Sequence, residues 1–255
     1  MLEYSKLIEE AEKAINWIKE YVEKTGAKGV VVGNSGGKDS AVVIAMATKA
    51  LSNKNVITVA MPCNSIIEDL EDARMVAEKF DVKFLSVELT NCYNNFENSI
   101  NKTLKNIDLE LNTDSKINIK PRMRMTTLYA IAQSLGYLVI GTGNLCERMV
   151  GYTTKWGDSA SDLNPIANFT VEEVLTIGKY LGVPEKIINK APNDGLGGKT
   201  DEEKMGITYK QIEEYIETGK TDEEAMENIK YRNEISRHKR KQVPMYKVNR
   251  KNYLK

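Results

Sequence analysis

Residues Gly33-Asn34-Ser35-Gly36-Gly37-Lys38-Asp39-Ser40 put small, hydroxyl, cationic and anionic side chains into one short run. Val30, Val31 and Val32 before it read as the end of a buried strand, and Ala41 to Ala47 after it as the start of a helix. A glycine-rich turn feeding a helix N-terminus is an anion site, because its N–H groups converge and the helix dipole favours negative charge. Ser35, Gly36, Gly37 and Ser40 suit the β- and γ-phosphates of a nucleotide, with glycine letting the backbone approach closely. The run is not the ordinary P-loop. Val32 stands where the first glycine belongs, and Asp39 follows the lysine where a hydroxyl residue is required. The dinucleotide fingerprint Gly-x-Gly-x-x-Gly is absent too. Asp39 is a poor direct partner for phosphate, so a Mg²⁺ ligand role suits it better. Mg²⁺ commonly takes one or two carboxylates plus phosphate oxygens, so a second acid is expected. Glu147 is the candidate, on a loop after the strand Tyr137–Gly141; its alternative is a solvated loop carboxylate.

The elements that would position these residues follow from periodicity. Leu7, Ile8, Ala11, Ala14, Ile15, Ile18 and Val22 recur at helical spacing, and Gly26 stops that helix. Strands are expected at Gly29–Val32, Val56–Met61, Val82–Val87 and Tyr137–Gly141. Helices are expected at Asp39–Leu51, Glu68–Phe80, about Asn91–Lys105, and Arg122–Leu135. The alternation predicts an α/β fold, a layered α/β/α arrangement on a mainly parallel twisted sheet. Ligands in such sheets bind beyond the carboxyl ends of the strands, so Gly33–Ser40 and Gly141–Glu147 can share one crevice. Farther on, Gly151–Asn164 reads as a functional loop, and Thr170–Leu181 as a helix with Glu173 completing a capping box. Pro184, Pro192 and Gly195–Gly198 mark loops. Thr208–Glu217 and Asp222–Arg237 read as helices before a basic tail from His238.

At 255 residues, with 41% apolar and 28% charged residues, the chain can bury a proper core, and one domain over residues 1–255 is expected. Zero net charge gives no strong field for nucleic acid or anionic membrane. Cys63, Cys92 and Cys146 are scattered, which argues against zinc and suits reduced thiols in the cytoplasm. No apolar run is long enough to span a bilayer.

Ser35-Gly36-Gly37-Lys38-Asp39-Ser40 resembles the signature of the ATP pyrophosphatases, enzymes that cleave ATP between the α- and β-phosphates. Further segments narrow the resemblance. They are Asn118-Ile119-Lys120-Pro121-Arg122-x-Arg124-Met125, Gly141-Thr142-Gly143-Asn144-x-x-Glu147 and Thr154-Lys155-Trp156-Gly157-Asp158. Asp162-Leu163-Asn164-Pro165, Thr200-Asp201-Glu202, Gly206-Ile207-Thr208-Tyr209 and His238-Lys239-Arg240 follow in order. From about residue 5 to residue 246 the chain resembles the ammonia-dependent NAD⁺ synthetases, which implies a Rossmann-like fold of the adenine nucleotide alpha hydrolase type.

That resemblance implies the following. ATP adenylates the nicotinate carboxylate of deamido-NAD⁺, pyrophosphate leaves, and ammonia displaces AMP. Gly33 to Ser40, Thr142 and Asn193 would bind ATP, and Asp39 and Glu147 would hold Mg²⁺. Arg122, Lys155, Asp162, His238 and Lys239 would bind deamido-NAD⁺, with Arg122 favoured over Arg124 by the motif register. Asp158, beside Lys155 in the glycine loop, is the acid expected to orient or deprotonate ammonium. The family is homodimeric; the opening helix could serve that contact or pack on its own sheet. Without room for a glutaminase domain, ammonia would come from solution or from another protein. Val171 stands where the family often has a phosphate-binding lysine, and Lys38 could compensate. His238 to Lys241 also reads as an ordinary solvated helix end. Two alternatives stand beside the synthetase: another ATP pyrophosphatase (GMP synthetase-like or tRNA-modifying), and a non-catalytic adenine-nucleotide sensor.

Overall fold

The computed structural model describes residues 2–190, 200–246 and 248. Strands β1 (Val30–Gly33), β2 (Val56–Ala60), β3 (Lys83–Ser86) and β4 (Leu138–Ile140) form one parallel sheet in the order β3-β2-β1-β4. Val31 pairs with Ile57 on one side and Val139 on the other. The chain steps outward from β1 to β3, then returns to lay β4 against the opposite edge of β1. That reversal is a topological switch point, where two strand ends diverge and leave a crevice. Leu163 adds a short parallel bridge to Ile140.

Alternation along the strands assigns the faces. Val30 and Val32 enter one apolar cluster with α1 (Tyr4–Thr25), α2 (Lys38–Leu51), α3 (Ile67–Lys79), α7 (Val171–Tyr180) and α8 (Glu185–Ile188). Val31 and Val139 enter the other with α4 (Thr90–Leu104) and α5 (Thr113–Leu135). The expected α/β/α layering is therefore present. A third apolar cluster joins α6 (Leu145–Val150), α9 (Asp201–Met205), α10 (Tyr209–Thr218) and α11 (Glu223–Ile235), and the four-residue α12 (Arg237–Arg240) follows.

Two expectations need correction. Helix α5 starts at Thr113, not Arg122, with the Asn112 side chain accepting the Ser115 N–H as its cap. Pro121 lies inside the helix, where the lost N–H and ring crowding normally cost about 3 kcal/mol. It is buried against the Gly157 turn, and that packing offsets the cost. Glu147 is not on a loop. It occupies the first turn of α6, where Asn144 and Glu147 form a reciprocal capping box. The capping box expected at Thr170 and Glu173 is present. The expected loop at Gly195–Gly198, Pro192 and Asn193 lie outside the described residues.

Candidate active site

The turn from β1 into α2 is shaped by its own hydrogen bonds. Asn34 is buried; its amide donates to the Ala73 carbonyl on α3 (2.8 Å), and its side-chain oxygen accepts the Gly36 N–H (3.2 Å). Its side chain is thus committed to the scaffold. Gly36 has φ +73°, and a Cβ there would lie 2.4 Å from the Asp69 carbonyl oxygen. Only glycine fits this left-handed turn pressed onto α3. Ser35 is exposed, its Oγ accepting the Gly37 N–H and lying 3.2 Å from Ser40 Oγ. Gly37 caps α2, so the first-turn N–H groups of a 14-residue helix open toward the crevice.

The crevice is a cavity of about 510 Å³. Its walls come from the loops after β1 and β4, joined by α3, α5, α6 and α12. Asn144, one residue before α6, links the two candidate metal carboxylates. Its Nδ2 donates to Asp39 Oδ1 (3.3 Å) and its N–H to Glu147 Oε2 (3.0 Å). Burial, with the nearby Asp39 charge, pushes the Glu147 carboxyl well above the usual carboxylate range. Burial raises Asp39 as well, opposed by the Lys38 ammonium and the Asn144 hydrogen bond. Lys38 is buried; its Nζ lies 4.0 Å from Asp39 Oδ2 and 5.7 Å from the centre of the Tyr209 ring. Two neighbouring carboxylates raised by burial, one of them also by the other's charge, form a donor set that a hard divalent cation would relieve.

Asp158 lies on the same wall. Its oxygens accept the Thr154 N–H (2.7 Å) and the Thr153 hydroxyl (3.0 Å). The side chain is exposed, yet many protein atoms crowd around it. That desolvation raises the carboxyl despite both hydrogen bonds.

The cavity collects Gly33, Asn34, Ser35, Gly37, Lys38, Asp39 and Ser40 from the first loop. Thr142, Glu147, Asp158 and Lys239 join them. Gly36 lies behind the lining. Four members of the expected dinucleotide set stand elsewhere. Arg122 is exposed, its Nε donating to the Lys155 carbonyl (3.3 Å), and Lys155 Nζ lies over the Trp156 ring. His238 is exposed. Asp162 braces the sheet, accepting the Val139 N–H (2.7 Å) and the Tyr129 hydroxyl (3.2 Å). The Tyr129 phenol is pushed up to about 12 by burial and by the Asp162 charge.

Sequence reasoning passed over other cavity residues. Arg124, set aside in favour of Arg122, lines the wall, with Nε donating to the Met61 carbonyl (3.2 Å). Its signal was the Arg-x-Arg spacing, which on a helix turns the two side chains to different faces. Asp201 also lines the wall and accepts the Tyr152 and Tyr209 hydroxyls. Lys190 reaches the cavity while paired with Asp69 (2.8 Å) and the fully buried Asp72 (2.7 Å). Val171 is buried in the third apolar cluster, so the family lysine could not be replaced there without disturbing a core.

Fold and cavity together define a layered α/β protein with a glycine-rich turn and two linked carboxylates beside a cavity at a topological switch point. The NAD synthase family model matches residues 10–252. An NH₃-dependent NAD⁺ synthetase of Carboxydothermus hydrogenoformans is 45% identical over 240 residues, spanning 93% of this chain and 97% of that protein. Its counterpart in Thermococcus sibiricus is 44% identical over 216 residues, spanning 84% and 81%. Among solved structures, an NMN synthetase from Francisella tularensis superposes with a TM-score of 0.88 at 34% identity, covering 95% of this chain and 99% of that one. An NH₃-dependent NAD synthetase from Campylobacter jejuni superposes at 0.77 with 28% identity, covering 97% and 100%. The chain belongs to the NAD synthase family.

Proposed function

We propose that this chain amidates deamido-NAD⁺ to NAD⁺ with ammonia and ATP, and that the switch-point cavity is where it does so. The observation that supports this site best is the Asn144 bridge between Asp39 and Glu147, directly beside the Ser35–Ser40 turn. A nucleotide sensor has no need of two carboxylates held together at the phosphate loop.

The first-loop amides, Ser35 and Ser40 hold the β- and γ-phosphates, and Thr142 binds the nucleotide from the facing loop. Asp39 and Glu147 would hold Mg²⁺, which supplies charge neutralisation for the polyphosphate when bound. Lys38, buried beside Asp39, adds the fixed cation on this wall. The nicotinate carboxylate oxygen attacks the α-phosphorus, the bond from that phosphorus to the bridging oxygen breaks, and pyrophosphate leaves with the electron pair. Most of the rate gain at this step is positioning and electrostatics. Asp158 then takes a proton from ammonium; desolvation raises its basicity, which suits that task. The freed nitrogen attacks the acyl carbon, the bond to AMP oxygen breaks so that AMP leaves with the electron pair, and the nitrogen loses a second proton to solvent to give the amide.

Arg122, Lys155, Asp162 and His238 stand apart from the cavity, so the dinucleotide role proposed for them requires a substrate that extends beyond its mouth. Arg124 is the cation added to that set. The family's homodimer and a cytoplasmic location are proposed with the activity, and sedimentation of the purified chain tests the assembly. Incubation with Mg·ATP, ammonium and deamido-NAD⁺ tests the reaction; absence of either NAD⁺ or AMP rejects it. Replacing ammonium by glutamine tests the nitrogen donor.

A second reading is favoured by one observation. The Francisella NMN synthetase superposes more closely than the Campylobacter NAD synthetase, at higher identity. Nicotinate mononucleotide carries the same reacting carboxylate, so kcat/KM for it and for deamido-NAD⁺ should be compared side by side. A higher value for the mononucleotide replaces the first substrate with the second.

A further inference from the structure

The face of α3 that backs the glycine-rich turn is acidic. A Cβ at Gly36 would lie 2.4 Å from the Asp69 carbonyl oxygen and 3.0 Å from the Asp72 Cβ. Asp69 and Asp72 are three apart on the helix, so their side chains share that face. Two lysines, from α8 and the residues just after it, pair with them. Lys186 Nζ lies 2.6 Å from Asp72 Oδ1 and 3.5 Å from Glu68 Oε1. Lys190 Nζ lies 2.7 Å from Asp72 Oδ2 and 2.8 Å from Asp69 Oδ1.

The two cations are not equivalent. Lys186 by itself gives the fully buried Asp72 an opposite charge, so Lys190 is a second cation on the same carboxylate. Lys190 also lines the cavity, in company with Asp69, Ser35 and Gly37, and Lys186 does not. An ammonium carries three N–H donors. Among the described residues, Asp69 and Asp72 take two of those on Lys190, and the side chain stays 25% exposed. One donor is therefore left for an anion seated at the turn, with both ion pairs intact. The wall needs that cation as well: an unpaired Asp69 carboxylate beside the turn would repel a polyphosphate.

We infer that Lys190 is a further residue of the reaction, which donates from the α3 side of the turn to the β,γ end of the ATP phosphate chain, the part that leaves as pyrophosphate. This rests on the reading of the cavity as an ATP site. Lys186, four residues earlier, is left with the structural task of neutralising Asp72.

Calorimetric titration of the full chain with Mg·ATP and with AMP, in the absence of the nicotinate substrate, tests it. The proteins are the wild type, Lys186→Met, Lys190→Met, Asp69→Asn and the Asp69→Asn, Lys190→Met double variant. Loss of a charge-assisted hydrogen bond should raise the ATP Kd of Lys190→Met by about 10-fold or more. AMP lacks the β- and γ-phosphates, so its Kd should stay within about 2-fold of wild type in the same variant. Lys186→Met should also leave the ATP Kd within about 2-fold, while its Tm falls about as far as that of Lys190→Met, since each change leaves Asp72 one lysine. The double variant separates donation from screening. A lysine that donates to phosphate leaves it at least about 5-fold weaker for ATP than Asp69→Asn. A lysine that only covers Asp69 makes the two equal, and that result overturns the inference. An ATP Kd unchanged in Lys190→Met, or an AMP Kd weakened as much as the ATP Kd, also overturns it. If Lys190→Met does not fold, the double variant, which loses acid and cation together, carries the comparison against Asp69→Asn. A wild-type chain that binds no Mg·ATP rejects the ATP reading of the cavity itself.

Discussion

Gly36→Ala separates the two physical demands on the phosphate turn. The residue has φ +73°, which costs an alanine about 1 kcal/mol or slightly more. The added Cβ would also lie 2.4 Å from the Asp69 carbonyl oxygen, 3.0 Å from the Asp72 Cβ and 3.1 Å from the Ala73 N–H nitrogen. None of these is the free end of a flexible side chain, so the turn or α3 must retreat. Overpacking of this kind costs roughly 1–3 kcal/mol. Gly219 supplies the control: it has φ +72° with nothing within 4 Å of a Cβ. Gly219→Ala should therefore lower Tm by about 2–4 °C, and Gly36→Ala by about 5–15 °C, for a chain of this size. Moving the turn by about 1 Å should further reduce kcat/KM for ATP by about 100-fold in Gly36→Ala. Thermal melting and ATP-saturation kinetics on both variants give the comparison. Equal melting temperatures with unchanged ATP kinetics in Gly36→Ala would refute the close approach of turn and α3.

Asp39→Asn and Glu147→Gln should each cut kcat by about 100-fold or more and raise the Mg²⁺ concentration for half-maximal rate, measured by titrating the metal after chelation. Val171→Lys should not restore a phosphate contact but destabilise the chain by about 3 kcal/mol or more, read from denaturant midpoints, because it buries an unpaired ammonium in an apolar cluster. Asp72 is fully buried; burial pushes its carboxyl up, but Lys186 and Lys190 outweigh this and hold it below 3.8. Its stabilisation is thus present above about pH 3.8 and disappears as pH falls through the lowered value. Asp72→Asn should cost about 2–3 kcal/mol at neutral pH, less than a wholly buried pair because Lys186 is half exposed, and the gap to the wild type in melting temperature should narrow as pH is lowered through the acid range.

The sheet was readable from short apolar runs bounded by turns, because β1 and β2 are buried on both faces and need no alternation. The phosphate turn was readable because its chemistry is consecutive. Pro121 misdirected the start of α5: a proline usually opens a helix, and only its packing on the distant Gly157 turn permits an interior position. Glu147 looked like a loop residue because α6 has only six residues, too few to show a period. Roles for Arg124, Lys190 and Asp201 were hidden for another reason. Whether such a side chain meets the cavity depends on which elements pack beside it, which a linear pattern does not record.

The return of the chain from β3 to the far edge of β1 also dictates when a nucleotide site can exist during synthesis. Asp39 and its bridging partner Asn144 are 105 positions apart, and β4 cannot dock until everything between them has been made. Such long-range closure is slow and depends on the intervening strands and helices already being in place. A nascent chain that has formed β1, β2 and β3 has the glycine-rich turn and Asp39 but neither Asn144 nor Glu147 beside them. It gains the bridged carboxylate pair only when β4 inserts. On the proposed reading of the site, assembly thus runs in a fixed sequence of glycine-rich turn, carboxylate pair and Asp158 loop, so a chain ending before β4 would carry the turn without the partners it needs.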